Sequence, residues 1–310
     1  MVKTVLGGVP AERLGRTSVH EHIFNVSDAS HRFYQDDGDF AIEQLKKAKD
    51  AGLDTIIEVT PGADPRQLAY VAERSPVNII ACTGFYCEWR EEEKPYTTEQ
   101  FLGKMLFEAE RGIEGSGVMP GVIKIASFRP NLLPCEVRAL TAAGLAQKAT
   151  GLPMCVHSAT GTRYQQYLIE AAGADMQKVY FSHLESPTDR ENRTLPMQID
   201  YIINTMKRGS LVSFNGFGYP LYLNPDELAE MVKQVVERGY AHKLLLSMDT
   251  YWALRDGRRI FAYEDKDPDV VRRVYPYLMT DVLPWLKGIG VSGADIERMI
   301  NANVQDLFKG

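Results

Sequence analysis

With 310 residues, a hydrophobic fraction of 45%, a charged fraction of 25% and a net charge of −6, the chain has the composition of a soluble globular protein with ample core. The acidic balance argues against a surface for nucleic acid or anionic membrane. No stretch approaches the roughly 18 apolar residues of a membrane span, and MVKTVLGGVPAERLG lacks the apolar run and cleavage site of a signal peptide. A small soluble substrate and a cytoplasmic location are therefore expected. The four cysteines, Cys82, Cys87, Cys135 and Cys155, form no C-x-x-C pair or zinc-ribbon spacing and read as free thiols of a reducing compartment.

In chain order, residues 3–15 read as a short β-ribbon with Gly7, Gly8 and Pro10 at its turn. Apolar, β-branched runs then recur at 17–22, 55–60, 78–83, 121–126, 154–158, 179–183, 211–215 and 243–249. Helical patterns fill the gaps. Phe101, Leu102, Met105, Leu106, Ala109 and Ile113 share one face of FLGKMLFEAERGI. VRALTAAGLAQKATG and ELAEMVKQVVERGY end on Gly151 and Gly239 in C-cap positions. Ser292 and Asp295 cap a last helix, DIERMINANVQDLF. Eight near-continuously apolar strands alternating with helices predict a single α/β domain over 1–310, a (β/α)8 TIM barrel with a short N-terminal β-ribbon. No nucleotide-binding glycine loop is present.

The chemistry-bearing residues fall at or near the ends of those strands, where barrel enzymes keep their active sites. They are His20 and His22 in SVHEH, Lys124 in GVIKIAS, His157 in CVHS, His183 in YFSH and Asp249 in LLLSMD. On a strand, residues two apart share a face, so His20 and His22 point together while Glu21 turns away. A lone buried histidine is an ordinary core residue. Four at equivalent positions with an aspartate form the donor mixture of a zinc site, and six ligands exceed what one tetrahedral ion needs. Lys124 has two readings: a buried lysine paired with Asp249, or a carbamate, formed with carbon dioxide, that bridges two metals. An ammonium has no lone pair, whereas carbon dioxide reacts with a neutral amine, the form that burial favours. The sequence leaves both readings open.

The motifs SVHEHIF, ACTGFY, GVIKIAS, HSATGT and LLLSMD resemble, in order and spacing, the lactonases of the phosphotriesterase branch of the amidohydrolase superfamily. The resemblance implies two divalent metal ions, zinc first among them. His20, His22 and Asp249 would hold one, His157 and His183 the other, and N6-carboxylated Lys124 would bridge them. It implies metal-activated water attacking a lactone or related carboxylic ester, with Asp249 accepting the proton and Tyr86 lying beside the lactone ring; a plain rim aromatic is the other reading of Tyr86. It also implies a homodimer. A phosphoester or N-acyl amide on the same metal site is the alternative substrate class, and an inactive binding barrel the reading outside enzymes. Several positions depart from the lactonase pattern: Phe214-Asn215-Gly216-Phe217-Gly218 replaces F-D-R-x-G, so the pocket arginine is absent; Met248 precedes Asp249; and Asn303-Val304 stands for Asn-Pro. Arg129, Arg163 and Arg255 lie five or six residues beyond Lys124, His157 and Asp249. They are candidates to bind an anionic substituent of the substrate; ordinary exposed arginines on loops are the other reading. Glu21 and Glu58 read as supporting carboxylates, and Glu91 to Glu93 as a solvated loop.

Overall fold

The eight apolar runs form parallel strands. In chain order these are β3 (Thr17–Glu21), β4 (Thr55–Glu58), a third strand in two pieces on either side of Ala81, β5 (Asn78–Ile80) and β6 (Cys82–Phe85), then β7 (Val122–Ser127), β8 (Met154–Ser158), β9 (Val179–Ser182), β10 (Leu211–Phe214) and β11 (Leu244–Leu246). A computed structural model describes residues 1–24, 32–87, 90–127, 131–158, 161–186, 193–219, 224–262, 264, 267 and 272–309. Neighbours pair in parallel from β3 to β5 and from β6 to β11. The first and last strands meet where the Asp249 N–H donates to the His20 carbonyl at 3.0 Å and the His22 N–H to Thr250 at 2.9 Å. With helices α1 (Gln35–Asp50), α2 (Pro65–Arg74), α3 (Thr98–Arg111), α4 (Pro134–Thr150), α5 (Thr162–Ala171), α6 (Leu195–Lys207) and α7 (Pro225–Glu237) between the strands, this is a (β/α)8 barrel.

The period of two along each strand sorts the side chains into two cores. Ile123, Ile125, Met154, Val156, Val179 and Phe181 face the helices. Val122, Cys155, Tyr180, Leu211 and Leu245 fill the barrel, and Val2, Leu14, Val304 and Leu307 join them from the chain ends. That inward parity brings Lys124 and His157 into the barrel. The β3–β4 ladder slips between Ser18 and Glu21, an irregularity of the kind that re-aims side chains beside functional sites. Gly84, at φ +133°, pairs with Lys124. A Cβ there would lie 1.7 Å from the Lys124 carbonyl oxygen, so only glycine lets the third and fourth strands close.

Two local expectations are corrected and one element is added. The ribbon pairs β1 (Val2–Thr4) with β2 (Gly7–Val9), so Gly7 and Gly8 lie in its second strand and the turn is Val5-Leu6. Gly7 marks strand entry because its φ of +120° excludes a side chain. Lys124 is the third residue of a six-residue strand, one layer deeper than a strand end. Beyond Asp249 the chain forms a hairpin, β12 (Trp252–Arg255) and β13 (Arg258–Phe261). Its Asp256-Gly257 turn has positive φ at both residues, as this hairpin geometry requires. It docks on α1 through Trp252, Phe40 and Phe261 and an Arg259–Asp37 ion pair at 2.6 Å.

The acidic run is not uniformly solvated either. Glu91 and Glu92 are exposed, but Glu93 is 7% exposed. Burial pushes its carboxyl up to about 7, against the pull of Arg90. The folded chain therefore holds a proton between pH 4.5 and 7 that the unfolded chain releases, and this stabilisation is lost as pH rises through 7. Glu93→Gln should raise Tm more at pH 8.5 than at pH 5; an equal change at both would show that the carboxyl titrates normally.

The carboxyl end of the chain carries the expected cap, with two π-helical irregularities, the first over Leu278–Val282. Ser292 caps α9 (Gly293–Glu297), accepting from the Asp295 N–H at 3.1 Å. A π-helical turn over Arg298–Ala302 leads into α10 (Asn303–Phe308), after an earlier short helix α8 (Leu283–Gly288). Asn303 is buried and donates to the carbonyls of Ala241 and Leu244, tying this helix to the base of β11.

Candidate metal centre

The four histidines, the lysine and the aspartate, drawn from five strands, converge at the carboxyl end of the barrel. Rings of His157 and His183 lie 4.2 Å apart, those of His183 and His20 4.8 Å, and those of His20 and His22 5.5 Å. Asp249 Oδ1 sits 3.3 Å from His22 Nε2 and 3.5 Å from His20 Nε2. Two groups of three, His20–His157–His183 and His20–His22–Asp249, each have their donor atoms within 4.8 Å of one another. They share His20.

What orients these rings is a layer of hydroxyls beneath them. His20 Nδ1 lies 2.9 Å from Ser182 Oγ, and His22 Nδ1 2.8 Å from Thr60 Oγ1, so both rings present Nε2 inward. Thr60 in turn donates to Glu58, the carboxylate that ends the second strand. Glu21 faces away from the histidines. It accepts from Ser18, from Ser247 at 2.9 Å, and from the backbone N–H groups of Met248 and Thr250 at 3.0 and 2.7 Å. Both glutamates therefore brace the centre from outside. A carboxylate or hydroxyl behind a ligating imidazole fixes the ring in the way metal sites require.

The electrostatics suit cation binding. Burial lowers all four imidazoles from their ordinary range, His183 to about 4 and His20 and His157 far down, with the Lys124 charge adding to the effect. At neutral pH each ring is neutral and keeps a lone pair, the form that ligates. Burial by itself would raise the Asp249 carboxyl, but Arg273 and His22 hold it well below the usual carboxylate range. His183 Nε2 is buried and has no hydrogen-bond partner among the described residues. Such an atom is costly unless something satisfies it, and a divalent cation would. On donor type and on this orphaned nitrogen, the residues fit a metal.

Two of the candidate ligands carry backbone strain: His183 has φ +72° and Asp249 φ +50°. Left-handed non-glycine residues cost on the order of 1–3 kcal/mol and concentrate at functional sites. Lys124 is fully buried, with Nζ 2.9 Å from His20 Nε2 and 3.6 Å from Cys155 Sγ. Among the described residues it makes no ion pair with Asp249, whose carboxylate pairs with Arg273 at 2.8 Å instead. Tyr86, just past β6, is half-buried; its ring lies 6.4 Å from that of His157 and 5.5 Å from Lys124 Nζ.

The two rim arginines that are described do not gather in the same way. Arg129 lies outside the described residues. Arg163 is exposed on the first turn of α5, where it lines a surface groove of ≈ 600 Å³ with Tyr164, Tyr167, Arg193, Tyr201 and Arg208. Arg255 is exposed at the end of β12. The arginine at the centre is Arg273, 24 residues beyond Asp249. Local sequence offered no sign of it, because a chain that leaves through a hairpin and returns keeps no spacing relation to the strand.

Against known proteins, the profile of the phosphotriesterase family matches residues 1–308. An aryldialkylphosphatase of Saccharolobus solfataricus is 26% identical, with 97% of this chain and 96% of that protein covered. A phospho-furanose lactonase of Mycoplasmopsis agalactiae is 27% identical, covering 99% and 91%. A mutant of the phosphotriesterase-like lactonase of Deinococcus radiodurans superposes with a TM-score of 0.82 at 25% identity over 100% of both chains. Among the described residues no helix is long and apolar enough to cross a membrane.

Proposed function

This chain belongs to the phosphotriesterase family, a family of metal-dependent hydrolases, and from that premise we propose that it hydrolyses lactones or related carboxylic esters with two divalent metal ions. The observation that carries the reading is the pair of three-residue donor groups hinged on His20. His20, His22 and Asp249 would hold one ion, and His157 and His183 the other. Lys124, carboxylated on Nζ with release of a proton, would bridge the two positions. Zinc suits a donor set of imidazoles and carboxylates. When bound, the pair of cations supplies Lewis acidity and makes water acidic enough to serve as a nucleophile near neutral pH. Asp249, whose Oδ1 lies 3.5 and 3.3 Å from the His20 and His22 Nε2 atoms, would be the residue that takes the proton. Its other oxygen stays on Arg273. Tyr86 supplies an aromatic wall for the substrate ring beside His157.

Lactones come first because relatives named as lactonases match nearly the whole chain. Phosphoester hydrolysis is the second reading, favoured by the similarity to an aryldialkylphosphatase. A pH-indicator screen over lactones, phosphoesters and N-acyl amino acids, run beside elemental analysis, separates them. We expect about two divalent ions per chain and loss of activity on chelation. No bound transition metal, with activity indifferent to chelator, would overturn the assignment.

Arg163 remains the guanidinium we assign to an anionic substituent, since the pocket arginine is replaced by Gly216. Arg163→Ala should reduce kcat/KM for an anionic lactone by about 10–150-fold, equivalent to about 1.5–3 kcal/mol, and leave a matched neutral lactone unchanged. Equal losses on both would remove Arg163 from substrate recognition.

A further inference from the structure

We infer that Arg273 is a positioning residue of the metal centre, holding Asp249 so that one carboxylate oxygen alone faces the histidines. The inference rests on the metal reading above. Arg273 is 6% exposed. A single nitrogen, Nη2, lies 2.8 Å from Asp249 Oδ2, 2.7 Å from the Asp249 carbonyl and 2.8 Å from the Met248 carbonyl, with the Asn215 carbonyl at 3.5 Å. The contacts to Asp249 run to both its side chain and its backbone. Together they close a ring that fixes χ1 and the left-handed φ of +50° at once. Released from that ring, the carboxylate could turn either oxygen toward His20 and His22, and the residue could relax toward an ordinary backbone.

The surroundings show that this is a built arrangement. Two residues further on, the buried Tyr275 hydroxyl donates to the His22 carbonyl at 2.6 Å, so one returning segment braces both His22 and Asp249. The Arg273 guanidinium lies 5.6 Å from the Tyr251 ring, which stands 6.4 Å from that of His22. The Asn215 contact extends the brace to the end of β10, where the pocket arginine is absent from the sequence. A cation buried beside a carboxylate that must also bind metal looks counterproductive, since it competes for the same charge. It is useful if the oxygen it occupies is the one kept away from the metal.

The test is zinc retention against a chromophoric chelator, which needs no substrate, so it stays readable if the lactonase assignment fails. Arg273→Met should weaken zinc retention or lower kcat by about 10–100-fold, the usual effect of removing a group that orients a metal ligand, with KM within about twofold. Arg273→Lys should recover part of the loss, because an ammonium reaches one or two of the three oxygens. A brace that merely holds β10 to β11 would lower Tm and leave zinc retention and kcat at wild-type values, which would overturn the inference. Should Arg273→Met not fold, Arg273→Lys takes its place. It is then expected to lose at least about threefold in one of the two quantities, and wild-type values in both would overturn the inference.

Discussion

Lys124→Ala is expected to strip the barrel of its metal ions and reduce hydrolysis to the background rate. Lys124 reaches the centre from mid-strand, fully buried, and its nitrogen is within 2.9 Å of His20 Nε2. Truncation removes the buried nitrogen that contacts His20, the residue shared by both donor groups, and leaves a cavity in the barrel. If the native group is a carbamate, a short carboxylic acid should partly restore both metal content and turnover by placing a carboxylate in that gap. Acetate and propionate are the compounds to try, and a melting curve on the same sample separates metal loss from unfolding. Two outcomes count against the bridge: a metal-loaded crystal structure whose density ends at the lysine amine, or an alanine variant that keeps both ions.

The second large effect is Asp249→Asn, expected to lower kcat by about 10²–10⁴, the range for a positioned acid–base group. The substitution is nearly isosteric, but the amide has one acceptor oxygen where the carboxylate has two. Arg273 Nη2 pairs with Oδ2 at 2.8 Å, while Oδ1 lies 3.3 Å from His22 Nε2. If Arg273 keeps the amide oxygen, the NH2 group faces the two Nε2 atoms, and it has no lone pair with which to ligate a cation. If the amide turns over, two donors meet. Either way the centre is damaged, so metal content must be read with kcat. Full metal occupancy with wild-type kcat would remove Asp249 from the chemistry.

The barrel was legible in the sequence because its signals are local. Runs such as TIIEVT and GVIKIA have to be buried on both faces, and the gaps between them carry helical periods and terminal glycines. The six candidate ligands were legible for the same reason: a parallel barrel fixes which end of every strand faces the site, so a histidine at a strand end is located before any coordinates exist. Tertiary structure alone decided the remainder. Lys124 lies deeper than a strand end, because the inward parity of β7 sets its layer. Glu93 is buried while Glu91 and Glu92 are not, since packing, and not composition, chooses which face of a short turn is covered. The Asp256-Gly257 hairpin belongs with the local signals, since Asp-Gly is a turn dipeptide of two-residue hairpins. Arg273 was not readable at all: its partner is 24 residues away, on the far side of the β12–β13 hairpin. Periodicity reports which face of an element is buried; it does not report where a loop returns.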